Sequence, residues 1–257
     1  MLYLKYLSIH LKSQLQYRAS FFMMLFGQFI LSGTVFLGLW FLFLRFPSVE
    51  GFRLEEVLLA FAPMLLSFSL AELLGRGFDL FPRMIANGEF DRALVRPRSL
   101  VFQVLAGKME LNRLGRLLQA VPVLIYAILR SGISWAGDKV LTLVLMIACG
   151  AIVFFCLFVI YAAISFFTLE GLEVMNILTD GGREFGRFPF SIYGEDVLRF
   201  LTFVVPLALV QYYPLMYLLG RTQRLGWMLA PLWSLLFVLP TYGLWRLGLK
   251  HYKSTGS

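Results

Sequence analysis

VLTLVLMIACGAIVFFCLFVIYAAISFFTL, residues Val140–Leu169, carries no charged side chain. A helix crosses a bilayer in about 20 apolar residues. This run is longer than one crossing requires, so it must tilt, protrude or bend. Apolar runs flank it on both sides: Phe21–Leu44, Leu54–Leu74 and Leu117–Leu129 before it, Val197–Leu219 and Leu225–Trp245 after it. The run Leu117–Leu129 is short unless Leu111–Leu114 joins it. The whole chain of 257 residues is 59% hydrophobic and 15% charged, with mean hydropathy +0.77. Those values exclude a soluble globule, which lacks so much apolar surface, and a disordered chain, which is polar. The expected fold class is all-α: a polytopic integral membrane protein of about six transmembrane helices. Little chain remains between the runs, so residues 1–257 read as a single transmembrane domain. Phe21–Leu44 is too long for the apolar core of a cleavable signal, about 7–15 residues. It reads as a first span that is retained.

Basic residues mark orientation. Residues 1–20 carry Lys5, Lys12 and Arg18, and the tail carries Arg246, Lys250 and Lys253. The segment 75–116 carries Arg76, Arg83, Arg92, Arg96, Arg98, Lys108, Arg113 and Arg116. The positive-inside rule assigns both termini and 75–116 to the cytoplasm. The net charge of +8 is then explained by loops facing anionic membrane lipid rather than by nucleic acid. Within residues 1–20, Leu4, Leu7, Leu11 and Leu15 recur at helical spacing, opposite Lys5, Ser8, Lys12 and Gln16. This predicts an interfacial helix.

The segment 170–199 breaks the simple count. It holds Glu170, Glu173, Asp180, Glu184, Glu195 and Asp196 against Arg183, Arg187 and Arg199, so it lacks the positive excess of a cytoplasmic loop. The charge pattern fits a weakly apolar helix near 171–187 that crosses outward. Residues 188–220 then form an external re-entrant segment, broken at Pro206 and Pro214. The alternative is a plain six-run topology with kinked spans.

Chemistry of its own is absent from the sequence. His10 and His251 are the only histidines, and Cys149 and Cys156 lie roughly 10 Å apart on a helix, too far for a disulfide. They read as packed or lipid-facing thiols. No phosphate-binding loop, zinc motif or nucleophile elbow is present. Catalytic, metal-binding and cofactor-binding residues are therefore expected to be none. Glu72 is the one candidate intramembrane acid; the alternative is that it pairs with Arg76 four residues on. Gly27, Thr34 and Gly38 share one face of the first span, either as a seam between copies or as a contact within one chain. Tyr212, Tyr213, Trp227 and Trp233 fit interfacial belts.

Two segments carry the functional signal. In Gly88-Glu89-Phe90-Asp91-Arg92-Ala93-Leu94-Val95-Arg96-Pro97-Arg98, a turn leads into two helical turns that Pro97 stops. Phe90 and Leu94 fall on one side, with Asp91, Arg92 and Arg96 as charged shoulders. This pattern suits docking into a groove on a cytoplasmic partner; the alternative is a basic loop held on lipid. The second segment runs from Phe185 through Pro189, Ile192 and Tyr193 to Pro206, Tyr212, Tyr213 and Pro214.

Together these segments resemble the membrane subunits of type 2 ATP-binding-cassette exporters. They are most similar to a bacterial branch of short six-span permeases with a G-x-F/L-D-x-x-L-x-R-P cytoplasmic loop. The resemblance implies a permease subunit in a bacterial plasma (inner) membrane that works with a second permease, identical or related. It also implies a separate ATP-binding-cassette ATPase subunit, on which ATP and Mg would be bound. Gly88, Glu89, Phe90, Asp91, Arg92, Leu94, Arg96 and Pro97 would couple to that ATPase. Pro189, Tyr193, Pro206, Tyr213 and Pro214 would belong to the pathway or an outer gate. The polar stretch Thr179–Arg187 departs from the family's pattern. The rival readings are a stand-alone ion- or proton-coupled carrier and a lipid-modifying membrane enzyme.

Overall fold

The structure, a computed structural model, describes residues 2–168, 173–252 and 254. It is helical throughout, and the described residues contain no strand beyond an isolated bridge between Val49 and Phe52. The first elements are α1 (Leu2–Leu15), α2 (Arg18–Arg45), α3 (Leu54–Asp79), α4 (Phe81–Ala86), α5 (Glu89–Leu94) and α6 (Leu100–Gly107). Then come α7 (Leu114–Arg130), α8 (Gly137–Thr168) and α9 (Glu173–Phe185). A corner follows, built from α10 (Glu195–Phe203), α11 (Leu207–Val210) and α12 (Tyr212–Leu218). The chain closes with α13 (Leu225–Met228), α14 (Ala230–Ser234) and α15 (Val238–His251).

Four stretches are long and apolar enough to cross a membrane: α2, α3 with α4, α8, and Ala230–His251; the bent stretch Glu195–Leu218 is a fifth if counted as one span. The chain is thus an all-α polytopic membrane protein. The short run Leu117–Leu129 does gain residues at its start: Leu111–Arg113 forms a 3-10 turn that leads into the 17 residues of α7.

The core forms around α3, where every residue from Val57 to Ser69 is buried. Buried polar groups there need partners. The Ser67 hydroxyl lies 2.7 Å from the Pro63 carbonyl and 3.0 Å from the Ile147 carbonyl of α8. Gly150 makes that contact possible, because a Cβ there would strike the Ser67 side chain. Small residues likewise set the other crossings. A Cβ on Gly77 would run into the Val104 carbonyl where α6 crosses α3, and one on Gly115 would run into the Leu25 carbonyl where α7 meets α2. Gly27 and Gly38, by contrast, have open space around them. The expected small-residue face of α2 is therefore not a contact within this chain.

With 32 residues, α8 extends about 48 Å at 1.5 Å per residue. That exceeds the thickness of a bilayer core, and the end of α8 near Phe166 packs on the α4–α5 region. That end also holds α4–α6, α1 and the chain after α15, and it carries the basic segment 75–116. The segment expected as a loop is instead largely helical: the last turns of α3, then α4, α5, α6 and the start of α7. The helix continues past Leu74 because its charges find partners there, as described below.

α1 is a helix docked on α6. His10 Nε2 is 2.9 Å from the Ala106 carbonyl oxygen. Gln14 donates to the Met109 carbonyl at 2.6 Å and accepts from the Leu111 amide at 3.1 Å. Leu11 of the expected leucine stripe is exposed while Leu7 and Leu15 are half-buried, and Tyr6 meets Phe102 of α6 edge to face at 5.9 Å, so polar and apolar contacts together fix this helix.

After α9 the chain turns through 88° between α10 and the α11–α12 pair. The corner reaches the middle of the molecule: Leu207 lies against Gly182 and Phe154, and Val210 against Gly150. α12 then runs to the end opposite α5. There Tyr217 donates to Asp138 at 2.7 Å, and Arg221 contacts Glu56 at 2.9 Å and the Gly51 carbonyl at 2.8 Å.

Candidate functional site

The turn into α5 is made by Gly88, whose φ of 65° is left-handed and costs glycine least. Six residues of helix have little stability alone, and α5 is held by its surroundings. Gln103 of α6 donates to the Ala93 and Arg98 carbonyls, both at 3.0 Å, which satisfies the helix end. Phe90 is fully buried. Its ring meets Phe81 at 5.0 Å, Phe166 at 5.4 Å and Tyr252 at 4.9 Å, each edge to face. Trp245 completes the cluster against Phe81 and Phe166.

The sequence pairs Phe90 with Leu94 as anchors for a partner. The structure corrects this for Phe90: its ring is spent inside the chain and cannot fill a groove elsewhere. Leu94 is 44% exposed and Val95 83% exposed. Glu89, Arg92, Arg96 and Pro97 are also exposed. The outward face of α5 is therefore Leu94 and Val95, flanked by arginines.

Asp91 has a partner that sequence spacing hides. Tyr252 donates to Oδ1 at 2.8 Å and Ser254 to Oδ2 at 2.7 Å. The hydrogen bond from Ser254, and then that from Tyr252, hold the Asp91 carboxyl below its ordinary range. Partial burial, and then the bond to Asp91, push the Tyr252 phenol up to about 12. The chain after α15 thus clasps α5.

A buried charge network lies one layer deeper. Glu72 contacts Arg116 at 2.8 Å, Arg113 at 3.2 Å and Arg76 at 3.8 Å. Arg76 also pairs with Asp79, and with Glu110 at 3.2 Å. Glu110 holds Arg113 at 3.0 Å. Burial pushes the Glu110 carboxyl up, but Arg76 and Arg113 outweigh it and hold it below its usual range. Arg116 reaches on to Gln28 of α2 at 2.9 Å. Glu72 is therefore a paired acid. The Arg76 pairing is present, but it is the longest of the three contacts, and Arg116 is the principal partner.

Beyond Arg116 a cavity of about 250 Å³ opens between α2, α3, α7 and α9, lined by Gln28, Ser32, Phe61, Arg116, Arg183 and Arg187 among others. Arg187 also lines a neighbouring cavity of about 500 Å³ with Thr34, Gly38, Leu42 and Phe188. The two make a track along α2. The polar stretch Thr179–Arg187 builds one wall. The Arg183 guanidinium stacks 4.9 Å over Phe68 and pairs with Glu184 at 2.7 Å and Asp180 at 3.4 Å. Glu184 pairs with Arg187 as well. Asn176, Ile177, Asp180 and Phe185 of α9 are exposed.

None of the five residues expected for the pathway or outer gate lines these two cavities. Pro189, Pro206 and Pro214 are buried in the corner. Tyr193 stacks on Phe185 at 5.0 Å. Tyr213 stacks on Trp227 at 5.0 Å and hydrogen-bonds Thr202 at 3.2 Å. Gln211 fixes the corner from inside. It accepts from the Phe190 amide at 3.2 Å and donates to the Gly186 and Phe188 carbonyls at 3.0 and 2.9 Å. Cys149 and Cys156 are both buried, which makes them packed thiols. Sequence reasoning missed Gln28, Arg113, Arg116 and Gln211 as site residues. The only available signal for the arginines was their position at the start of an apolar run.

No curated protein and no solved structure matches the chain. A family model described as "ABC-2 family transporter protein" matches residues 29–256. That match takes in α5, the charge network, the cavity and the corner together. The chain belongs to the ABC-2 transporter family, as a permease-type membrane subunit.

Proposed function

We propose that this chain is the permease subunit of an ATP-driven exporter in a bacterial inner membrane, with both termini cytoplasmic. A separate ATP-binding-cassette ATPase carries ATP and Mg and docks on α5. The observation that carries the reading is the two-sidedness of α5: Phe90 is locked to the spans, while Leu94 and Val95 stand exposed between Arg92 and Arg96. An apolar pair ringed by charge is the composition of an interface core with a polar rim. Asp91 acts inward, through the Tyr252 clasp, rather than at the partner's rim.

The cavity along α2 supports a pathway shared with a second permease. Asn176 and Asp180 are exposed on α9, and charged groups at membrane depth face protein or water rather than lipid. The uncontacted Gly27, Thr34 and Gly38 face fits the same neighbour. The corner Glu195–Leu218 acts as a re-entrant segment that enters from outside.

The test is reconstitution of the full chain with a candidate ATPase in proteoliposomes. ATP-dependent transport is expected, and Leu94→Arg should abolish ATPase co-purification without changing the melting temperature. Transport by the chain alone, driven by a proton gradient, would overturn the proposal in favour of a stand-alone carrier.

A further inference from the structure

At the basic end of the molecule, Arg83, Arg92, Arg96 and Lys108 are among the cationic side chains that neither the spans nor the α5 clasp neutralise. Arg83, Arg92, Arg96 and Lys108 make no ion pair among the described residues. All four border clefts between α4–α5 and α6. One cleft, of about 360 Å³, is lined by Arg92 and Arg96. The other, of about 300 Å³, is lined by Arg83, Asn87 and Lys108. Glu89, Met84, Gln103 and Gly107 are common to both. Arg92 and Arg96 flank the exposed face of α5, but Arg83 and Lys108 lie on the far side of Gln103.

Two observations say what neutralises that second pair. The cleft lies against α6, whose sequence LVFQVLAG is apolar but for Gln103 and whose Val101 is exposed. Such a helix belongs at the lipid headgroup level. On the other side of the Gly77–Val104 crossing is a groove of about 380 Å³ between α3, α6 and α8. Leu70, Leu74, Leu105, Ile152 and Phe155 line it, with no polar surface. Leu74 and Leu105 of the groove are close along the chain to Gly77 and Val104 of the cleft. A cationic cleft and an apolar groove on the two sides of one helix crossing offer the two halves of a phospholipid site.

We propose that one anionic phospholipid binds here, its phosphate between Arg83 and Lys108 and an acyl chain in the Leu74–Leu105–Phe155 groove. The head contributes charge complementarity, and the tail covers the exposed apolar groove. Bound there, the lipid stands beside α5 without occupying the Leu94–Val95 face. The site does not depend on the exporter reading, because it needs no partner chain.

The test uses the delipidated full chain in detergent, titrated with dioleoylphosphatidylglycerol, dioleoylphosphatidylcholine or inorganic phosphate and read by native mass spectrometry. Phosphatidylglycerol should bind at one site, and phosphatidylcholine much more weakly. Losing two cations at about 1 kcal/mol each corresponds to roughly a thirtyfold loss, expected for Arg83→Gln with Lys108→Gln. The charge-keeping pair Arg83→Lys with Lys108→Arg should retain binding, which separates charge from folding. Leu74→Trp should fill the groove and weaken phosphatidylglycerol several-fold. Equal binding of both lipids, or undiminished binding by the Gln pair, would overturn the proposal. So would inorganic phosphate that displaces the lipid at equal concentration, which marks a site for soluble anions. Displacement of the lipid by a stoichiometric ATPase subunit would assign the cleft to protein docking and also overturn it.

Discussion

Phe90→Ala separates a structural anchor from a docking anchor. The ring is fully buried and touches Phe81, Phe166 and Tyr252. Truncating a buried Phe costs about 3–5 kcal/mol through lost transfer energy and the cavity left behind. Each edge-to-face pair is worth about 0.5–1.5 kcal/mol beyond area burial, and three such pairs place this site at the upper end. For a chain of this size, 1 kcal/mol moves the melting temperature by about 2–4 °C, so a fall of roughly 8–20 °C is expected if α5 unfolds with the whole. Leu94→Ala removes a half-exposed side chain and should leave the transition within about 2 °C, since surface changes stay near 0.5 kcal/mol. The assay is thermal unfolding of purified protein in nanodiscs, paired with ATPase pull-down well below either transition. Both variants should reduce pull-down, Phe90→Ala because α5 loosens and Leu94→Ala because a contact is lost. A wild-type melting curve for Phe90→Ala would refute the reasoning, as would Leu94→Ala melting like Phe90→Ala.

Glu72→Gln should destabilise the protein by about 3 kcal/mol, because it leaves Arg116 buried without its paired acid while Arg113 keeps Glu110, whereas Glu72→Met with Arg116→Met should recover part of the loss; a strictly additive double variant, measured by thermal unfolding, would disprove the coupling. The Asp91 clasp has a defined pH window. The Asp91 carboxyl is depressed in the folded state, so its contribution is present above the ordinary carboxylate range and lost as pH falls through the depressed value. The Tyr252 phenol is raised to about 12, so its contribution is complete below the ordinary tyrosine range and lost as pH rises through 12. The melting difference between wild type and Tyr252→Phe should therefore hold across neutral pH and vanish in strong acid; a difference independent of pH would place the effect elsewhere. Single cysteines at Ser191 and Ser254, in a chain lacking Cys149 and Cys156, should label from opposite sides of the membrane with an impermeant thiol reagent, and same-side labelling would restore the plain six-run topology.

The long helices α2, α3 and α8 were legible because each is written in one unbroken apolar piece of sequence, whereas the expected count of about six spans stands against four stretches long and apolar enough to cross, or five with the bent stretch Glu195–Leu218. The start of α7 was legible for the same reason: Leu111–Leu114 could be seen to adjoin the apolar run. What stayed hidden was contact across long separations. Phe90 and Leu94 share a helical side by spacing, yet two turns of helix cannot say which residue faces in. That is decided by Tyr252 and Phe166, far along the chain. Glu72 and Arg76 are visible as neighbours at i, i+4, but the stronger partners, Arg113 and Arg116, come from another helix. The polar stretch Thr179–Arg187 looked anomalous for a span because its charges are matched locally, around Arg183 and Glu184. Its place against α3 shows in Arg183 stacking on Phe68. The prolines drew notice as gate residues, and Pro189, Pro206 and Pro214 are all buried in the fold.

The way α5 is held determines where a displacement of it must go. Its back face is gripped by Phe81 at the continuation of α3, by Phe166 near the end of α8 and by Tyr252 just after α15. Packed aromatic rings have little compressible volume between them. A push on Leu94 and Val95 is therefore expected to move the adjoining ends of three helices as one body instead of bending α5. α2 is outside that grip. It meets the body mainly through α7, at the Gly115–Leu25 crossing and the Arg116–Gln28 hydrogen bond. The cavity along α2 is thus bounded by the gripped α3 on one side and by a loosely attached helix on the other. Arg116 stands at that boundary, joined to Glu72 of α3 and Gln28 of α2. A tilt of the α3–α8–α15 body that lengthens either contact would widen the cavity between them, so the outward face of α5 would act on the track through Arg116 and the Gly115–Leu25 crossing.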